Sequence, residues 1–252
     1  MKLSGHTALV TGGASGIGLA TVEQLARLGA AVALNHLPGD PAGPAAVGRL
    51  CAEGYAVIAA PGDVSDPTSI AAMVGDAIAA LGRLDILVNN AGTPATRAPI
   101  PPAELEAMTD AFWERIIATN LLGPFRCTRA AATALRSSKG AVVNTASIAG
   151  LTSLGSSIAY GASKAGLINL TVNLARALAP ECRVNAVAPG AVDTPWQKDW
   201  PESRKRAAEE KALLKRRCTA DDIAEAIVFL ATTPAPITGQ TLVVDAGLTL
   251  AS

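Results

Sequence analysis

Seven short runs of aliphatic and β-branched residues alternate along this chain with longer segments in which apolar residues recur every three or four positions. The short runs are Thr7 to Thr11, Ala30 to Asn35, Ala56 to Ala60, Ile86 to Asn89, Ala141 to Thr145, Val184 to Ala188 and Thr241 to Val244. Their length and residue types read as strands. They are nearly all apolar rather than alternating, as strands are when both faces are covered. The expectation is an α/β fold, a doubly wound parallel sheet of about seven strands with helices on both faces. Helices are predicted over Ile17 to Leu28, Pro67 to Leu81, Ala118 to Arg136, Ile158 to Leu178 and Ala220 to Ala231, with Gly29 and Gly82 where C-caps belong.

The 252 residues contain no repeat at a fixed period, no low-complexity tract and no long linker, so one domain over 1–252 is expected. Two segments break the rhythm. Thr93 to Pro102 is proline-rich, and Thr194 to Arg217 is polar and carries Trp196 and Trp200. Each follows a strand, which predicts loops above the carboxyl edge of the sheet, where open α/β sheets bind ligands.

Charge and residue usage remove several classes of function. Lys plus Arg and Asp plus Glu both number 21, and no basic run with interleaved aromatics spans a helix face, so nucleic acid is not an expected partner. The two histidines, His6 and His36, and the cysteines Cys51, Cys127, Cys182 and Cys218 are too scattered for a metal site or a histidine-based triad. Lone cysteines fit a reducing compartment. The N-terminal residues lack a signal-peptide pattern, and Gly, Pro or charge interrupts every apolar run well short of a membrane span. A soluble, unprocessed cytoplasmic protein is expected.

The first strand ends in Thr11-Gly12-Gly13-Ala14-Ser15-Gly16-Ile17-Gly18 as a helix begins. Glycines at such a junction let the backbone turn sharply, and the helix amides then point at an anion such as a pyrophosphate. By itself the pattern also fits a bare tight turn; at the first βα junction of a doubly wound sheet, it favours a dinucleotide. Further on, Tyr160 and Lys164 stand at i and i+4 at the start of a predicted helix, one turn apart on one face. A free tyrosine titrates near ~10, so its anion at neutral pH requires about 4 kcal/mol of stabilisation, for which the lysine ammonium is the nearby candidate. Tyr160 could equally be a half-buried helix residue beside a solvated lysine, but Ser147 closes the preceding strand and belongs next to the same helix start.

Taken together, Thr11-Gly12-x-x-x-Gly16-x-Gly18, Asn89-Asn90-Ala91-Gly92, Asn120, Ser147, Tyr160-x-x-x-Lys164 and Pro189-Gly190 resemble the short-chain dehydrogenase/reductase (SDR) family over essentially the whole chain. The look is nearest to the branch of 3-oxoacyl thioester reductases. The resemblance implies a Rossmann-like sheet and NAD(P)(H)-dependent chemistry on a ketone or secondary alcohol, without a metal. It implies Tyr160 as acid/base, Ser147 holding the substrate oxygen, Lys164 lowering the Tyr160 pKa and holding ribose hydroxyls, and Asn120 holding a relay water. For the cofactor it implies Gly12, Ser15, Gly16, Ile17 and Gly18 at the pyrophosphate. Asp63 and Val64 fall at the adenine, and Asn89, Asn90, Ala91 and Gly92 line the adenosine side and brace the sheet. Pro189, Gly190, Val192 and Thr194 fall at the nicotinamide. Read without the resemblance, Asp63 is a turn or N-cap residue, Asn89 a turn former and Asn120 a buried helix residue. A dimer or tetramer is the implied assembly.

The chain departs from the family pattern in three places. At the end of the second strand, Asn35-His36-Leu37-Pro38 has neither the carboxylate that selects NAD(H) nor a committed basic residue. His36 is the one donor for a 2'-phosphate there, although a histidine at a strand end is commonly just exposed; NADP(H) is favoured weakly. The segment between Gly92 and Asn120 is several residues longer than in compact relatives, and no basic pair is assignable to an acyl carrier partner. A catalytically idle dinucleotide sensor or partner subunit is the alternative function, and the intact Ser147, Tyr160 and Lys164 count against it. An epimerase or dehydratase would normally carry a larger C-terminal substrate domain.

Overall fold

The computed structural model describes residues 2–251. All seven predicted runs become strands of one sheet. In chain order the strands are β1 (Thr7–Val10), β2 (Ala31–His36), β3 (Val57–Pro61), β4 (Ile86–Asn89), β5 (Ala141–Thr145), β6 (Arg183–Pro189), β7 (Val192–Asp193), β8 (Cys218–Thr219) and β9 (Thr241–Val244). The sheet runs β3-β2-β1-β4-β5-β6-β9, every neighbour parallel, while β7 and β8 pair separately as a two-stranded clip. The order reverses between β1 and β4, where Val10 lies beside Leu34 on one side and Val88 on the other. A crevice opens at that reversal because the chain leaves the two strands toward opposite faces.

The helices are α1 (Gly16–Arg27), α2 (Ala42–Ala52), α3 (Pro67–Leu81), α4 (Asp110–Ile117), α5 (Gly123–Ser138), α6 (Ile158–Leu178), α7 (Glu202–Lys211) and α8 (Ala220–Thr232). Two cores form, one on each face. Ala8, Val10, Ile86 and Val88 face Val22, Leu25, Ile223 and Ile227 of α1 and α8. Leu9 and Leu87, the residues between, face Ile70, Val74, Leu135 and Leu174 of α3, α5 and α6. The pleat sends successive side chains to opposite faces, so a strand buried on both sides must be apolar throughout. Local signals set the helix ends: Asp66 caps α3 by accepting from the Thr68 N–H, and Gly82 ends it with φ 77°. Thr219 and Asp222 form a reciprocal capping box on α8.

Three helical segments differ from expectation. The helix predicted over Ala118 to Arg136 starts earlier, at Asp110, where the Thr109 hydroxyl accepts from the Phe112 N–H, and it is broken by a π-helical turn over Ala118–Leu122. Pro124 has no N–H to give the Asn120 carbonyl four residues before it, so the ladder widens there. Helix α2 was not foreseen because Gly43, Pro44 and Gly48 obscure its period, although it buries Gly43, Ala46 and Leu50. Helix α7 was not foreseen because it buries no residue and so has no apolar stripe to read. No helix among the described residues is long and apolar enough to cross a membrane.

A buried polar chain joins β4 and β5 to α5 and α6. Asn89 Nδ2 donates to Asn144 Oδ1 at 2.8 Å and to Thr128 Oγ1 at 3.1 Å, and Asn144 Nδ2 donates to Thr171 Oγ1 at 2.9 Å. Removing one member strands its buried partners, which costs more than the bond itself returns. Asn89→Ala is therefore expected to lower the unfolding free energy by about 2 kcal/mol, read by urea denaturation at unchanged m-value.

Candidate active site

The carboxyl ends of the strands open into one cleft of roughly 1750 Å³. Its first wall is the glycine turn. Gly12 and Gly16 have φ of 62° and 52°, and a side chain on Gly12 would come within 2.9 Å of the Ala91 backbone. This left-handed backbone leaves Ser15, Gly16 and Ile17 lining the cleft at the start of α1. Ser15 occupies the N-cap position but makes no side-chain cap bond. Gly18 does not reach the cleft; a side chain there would collide with the Gly12 carbonyl, so it lets α1 pack down on the turn.

Two asparagines hold this turn: Asn35, for which the sequence suggested no such role, and Asn90 of the Asn89 to Gly92 segment. Asn35 Oδ1 accepts from the Gly12 N–H at 3.0 Å, while its Nδ2 donates to the carbonyls of Ala60 and Gly62. Asn90 Nδ2 donates to the carbonyls of Thr11 and Gly12 at 3.1 and 3.2 Å. The expectation that Asn89 lines the adenosine side is corrected: Asn89 points into the sheet–helix interface, and its neighbour Asn90 lines the cleft with Ala91 and Gly92. Alternation along β4 forces the choice, since only one of two successive residues can face each way.

At the far end of the same half, Asp63 and Val64 line the cleft after β3. Asp63 is a turn residue, its Oδ1 accepting from the amide and hydroxyl of Ser65, and the helix cap is Asp66 instead. His36 also lines the cleft but is not an exposed residue. It is buried against Gly43, with Nδ1 donating to the Leu37 carbonyl at 2.9 Å and Nε2 lacking a hydrogen-bond partner. Asp40 caps the start of α2 through the Ala42 amide.

The centre of the cleft brings together Ser147, Tyr160 and Lys164. Ser147 follows β5 and caps a short 3-10 turn, its hydroxyl accepting from the Ala149 N–H. Ser157 caps α6, accepting from the Tyr160 N–H at 3.1 Å, which places Tyr160 in the first helical turn with Lys164 one turn later. Lys164 Nζ lies 5.7 Å from the Tyr160 ring centroid and donates to the Thr145 carbonyl at 2.6 Å. Burial pushes the phenol up to about 12, opposed by a hydrogen bond with Ser147, and burial lowers the Lys164 ammonium to about 8. In the chain by itself, loss of water around the phenol outweighs the Ser147 hydrogen bond, and the same loss of water favours the neutral lysine.

Asn120 is brought close but not into the cleft. Its Oδ1 accepts from the Thr93 N–H at 2.8 Å, and its Nδ2 donates to the Thr93 carbonyl and the Ser163 hydroxyl. The side chain ties the proline-rich loop to α6, so a relay water held by the amide is not what the geometry offers. The Asn120 carbonyl, facing Pro124 in the helix ladder, is the group without an ordinary α-helical donor.

The last wall follows β6. Pro189, Gly190, Val192 and Thr194 line the cleft, and Thr194 faces Gly16 across it, 3.4 Å from the point where a Gly16 side chain would begin. The segment from Thr194 to Arg217 is a lid rather than an open loop: a 3-10 turn over Pro195–Gln197, then α7. Its two stems are joined by the β7–β8 clip and by Arg217, which bridges Asp193 at 3.3 Å and Glu209 at 2.9 Å. Trp196 from this lid lies 5.9 Å from the Tyr160 ring at a tilt of 55°. Its distance from Tyr160 in sequence hid that contact.

Known proteins match this chain along most of its length. The family model described as enoyl-(acyl carrier protein) reductase matches residues 12–249. A protein of Streptomyces violaceoruber, described as a ketoacyl reductase of the granaticin polyketide synthase, is 40% identical over 243 residues, 95% of this chain and 94% of that one. Cis-4-hydroxycyclohexanecarboxylate dehydrogenase of Sinomonas cyclohexanicum is 38% identical over 249 residues, 97% of this chain and 96% of that one. A crystal structure described as a short-chain dehydrogenase/reductase from Burkholderia xenovorans superposes with a TM-score of 0.87 at 38% identity, over 97% of this chain and 98% of that one. Agreement on this scale in both sequence and backbone places the chain in the short-chain dehydrogenase/reductase family of oxidoreductases.

Proposed function

We propose that this chain is an NAD(P)(H)-dependent oxidoreductase that interconverts a ketone and a secondary alcohol, with Tyr160 as the proton donor in reduction. One observation carries the reading: the Tyr160 phenol and the Ser147 hydroxyl meet in the cleft at the carboxyl ends of the strands, with Lys164 one turn along α6 and 5.7 Å from the Tyr160 ring centroid. Two hydroxyls converging there suit one carbonyl oxygen, the serine by hydrogen bond and the tyrosine by proton transfer.

The glycine turn fits the pyrophosphate of a dinucleotide, because Ser15, Gly16 and Ile17 line the cleft at the start of α1, where no side chain caps the first helical amides. Gly12, Ser15, Gly16 and Ile17 would hold the pyrophosphate, Asp63 and Val64 the adenine, and Ala91 and Gly92 the adenosine side. Pro189, Gly190, Val192 and Thr194 would hold the nicotinamide. When bound, the nicotinamide supplies or accepts the hydride. The protein handles the proton. In reduction, Tyr160 gives its hydroxyl proton to the oxygen of the ketone, and the tyrosinate recovers one from Lys164. Burial favours that second transfer, since it raises the phenol and lowers the ammonium. Solvent restores the lysine, and Asn120 acts in that relay through its main-chain carbonyl rather than its amide. Oxidation reverses each step.

The substrate is a ketone or 3-oxoacyl thioester in reduction, the class that the relatives' names share with the hydroxyl chemistry of this cleft. NADP(H) is favoured over NAD(H), since the residues closing β2 and following it, Asn35, His36 and Leu37, carry no carboxylate: Asn35 is turned into the glycine turn, and Asp40, further along, is bonded to the Ala42 amide. A homo-oligomer, dimer or tetramer, is supported by the exposed apolar Leu122, Phe125 and Val172 on α5, α6 and the turn between α4 and α5. Free cysteines, three of them buried, accord with a cytoplasmic setting.

A carbonyl panel followed at the NAD(P)H absorbance band tests the activity, and dinucleotide binding without turnover of any carbonyl or alcohol would defeat it. Tyr160→Phe is expected to lower kcat by about 10²- to 10⁴-fold with dinucleotide Kd unchanged, read by steady-state kinetics and fluorescence titration. Reduction should weaken as pH rises through about 8, where Lys164 loses its proton, and Lys164→Met should remove that inflection along with most of the rate. Leu37→Asp, at an exposed position lining the cleft after β2, is expected to weaken NADPH binding about tenfold and leave NADH binding nearly intact, as measured by the two Kd values.

A further inference from the structure

The cleft continues past Tyr160 into a chamber beneath the lid, and the charges there are of one sign. Arg115 of α4 and Arg204, Lys205 and Lys211 of α7 line it, whereas the two carboxylates that line the cleft, Asp40 and Asp63, both lie at the β2 and β3 ends. Of the four cations only Lys205 has a carboxylate neighbour within 4.0 Å among the described residues, Glu202 at 3.5 Å. The most constrained is Arg204. Its guanidinium stacks on Trp200 at 4.7 Å from the ring centroid, and Nη2 donates to the Gly155 carbonyl at 2.9 Å. Gly155 itself adjoins the reaction centre, since a side chain on it would begin 3.7 Å from Tyr160 Cδ1.

A guanidinium has five N–H groups, and this one, on an exposed residue over the Trp200 face, gives a single side-chain bond to protein among the described residues. The Trp200 indole N–H is covered by protein, so the tryptophan offers its ring face and the arginine the donors. A guanidinium with N–H groups to spare, held against an aromatic face, suits a planar anion with two acceptor atoms. Building on the oxidoreductase reading, we infer that the chamber under the lid is a carboxylate subsite. The substrate is then an oxo acid or hydroxy acid whose carboxylate lies away from the reacting carbon, held by Arg204 over the Trp200 face. Arg115 and Lys211 add field rather than contact. The stack on Trp200 and the bond to Gly155 hold the guanidinium in place before the substrate arrives, so little ordering remains to be done on binding.

The experiment compares reduction of 4-oxocyclohexanecarboxylate with that of its methyl ester, which has nearly the same shape and no charge. The wild-type protein is expected to favour the acid by about 10- to 100-fold in kcat/KM. Arg204→Met should bring the acid-to-ester ratio close to one, whatever the absolute rates, and Arg204→Lys should restore part of it. Trp200→Ala removes the face on which Arg204 lies, so it should raise KM for the acid more than for the ester. Calorimetric titration with cyclohexanecarboxylate, which has no carbonyl to reduce, reads the subsite without turnover: it should bind the wild-type protein and not Arg204→Met. Equal wild-type rates on acid and ester, or an Arg204→Met variant that keeps the acid preference, would overturn the subsite and leave the oxidoreductase reading standing. Binding of cyclohexanecarboxylate through Arg204 without reduction of either ketone would uphold the subsite and count against the oxidoreductase reading.

Discussion

Every strand of the main sheet runs in the same direction, and that constraint organises the rest of the molecule. Parallel strands cannot be joined by tight hairpins, so each connection crosses a face as a helix and both faces become buried. It also brings the carboxyl ends of all strands to one edge. The glycine turn after β1, Asp63 after β3, Asn90 after β4, Ser147 after β5 and Pro189 at the end of β6 come from distant parts of the chain, yet they line one cleft. The side chains that meet there are far apart in sequence because a parallel sheet collects its strand ends.

Loops at such an edge have backbone groups that the sheet does not pair, and amide side chains meet that need. Asn35 reaches from β2 to the Gly12 N–H, Asn90 reaches from the end of β4 to the carbonyls of Thr11 and Gly12, and Asn120 takes both backbone groups of Thr93. An asparagine amide carries a donor and an acceptor together, which is what an unpaired stretch of backbone lacks. The amides hold the cleft walls at fixed spacing and, with the Gly13 N–H donating to the Asn35 carbonyl at 2.8 Å, they tie the left-handed glycine turn to β2.

Burial then sets the chemistry. Enclosing Tyr160 and Lys164 moves them in opposite directions, the phenol toward holding its proton and the ammonium toward releasing it, because both charged forms lose their water. The lid continues the enclosure over the substrate end, with its stems tied by the β7–β8 clip and Arg217. Trp196 and Trp200 cover the chamber while α7 turns its cationic side chains toward it.

The strands and the longest helices were legible in the sequence because each is decided locally. An apolar run buried on both faces, Asp66 before Pro67, and Gly82 after a periodic segment carry their meaning within a few residues. Helices without a clean apolar stripe, α2 and α7, were not legible, nor was the π-turn, although Pro124 was there to mark it. Tyr160, Lys164, Ser147 and the glycine turn could be picked out from spacing and resemblance. The orientation of Asn89, Asn90 and Asn120, the burial of His36 and the approach of Trp196 to Tyr160 could not. The sequence by itself determined which elements form and which residues stand at the edge, since hydrophobic period and capping act over one or two turns. Only the tertiary structure decided which side chains face the cleft and in what protonation they stand there, because both depend on neighbours contributed by other strands and on how completely those neighbours exclude water.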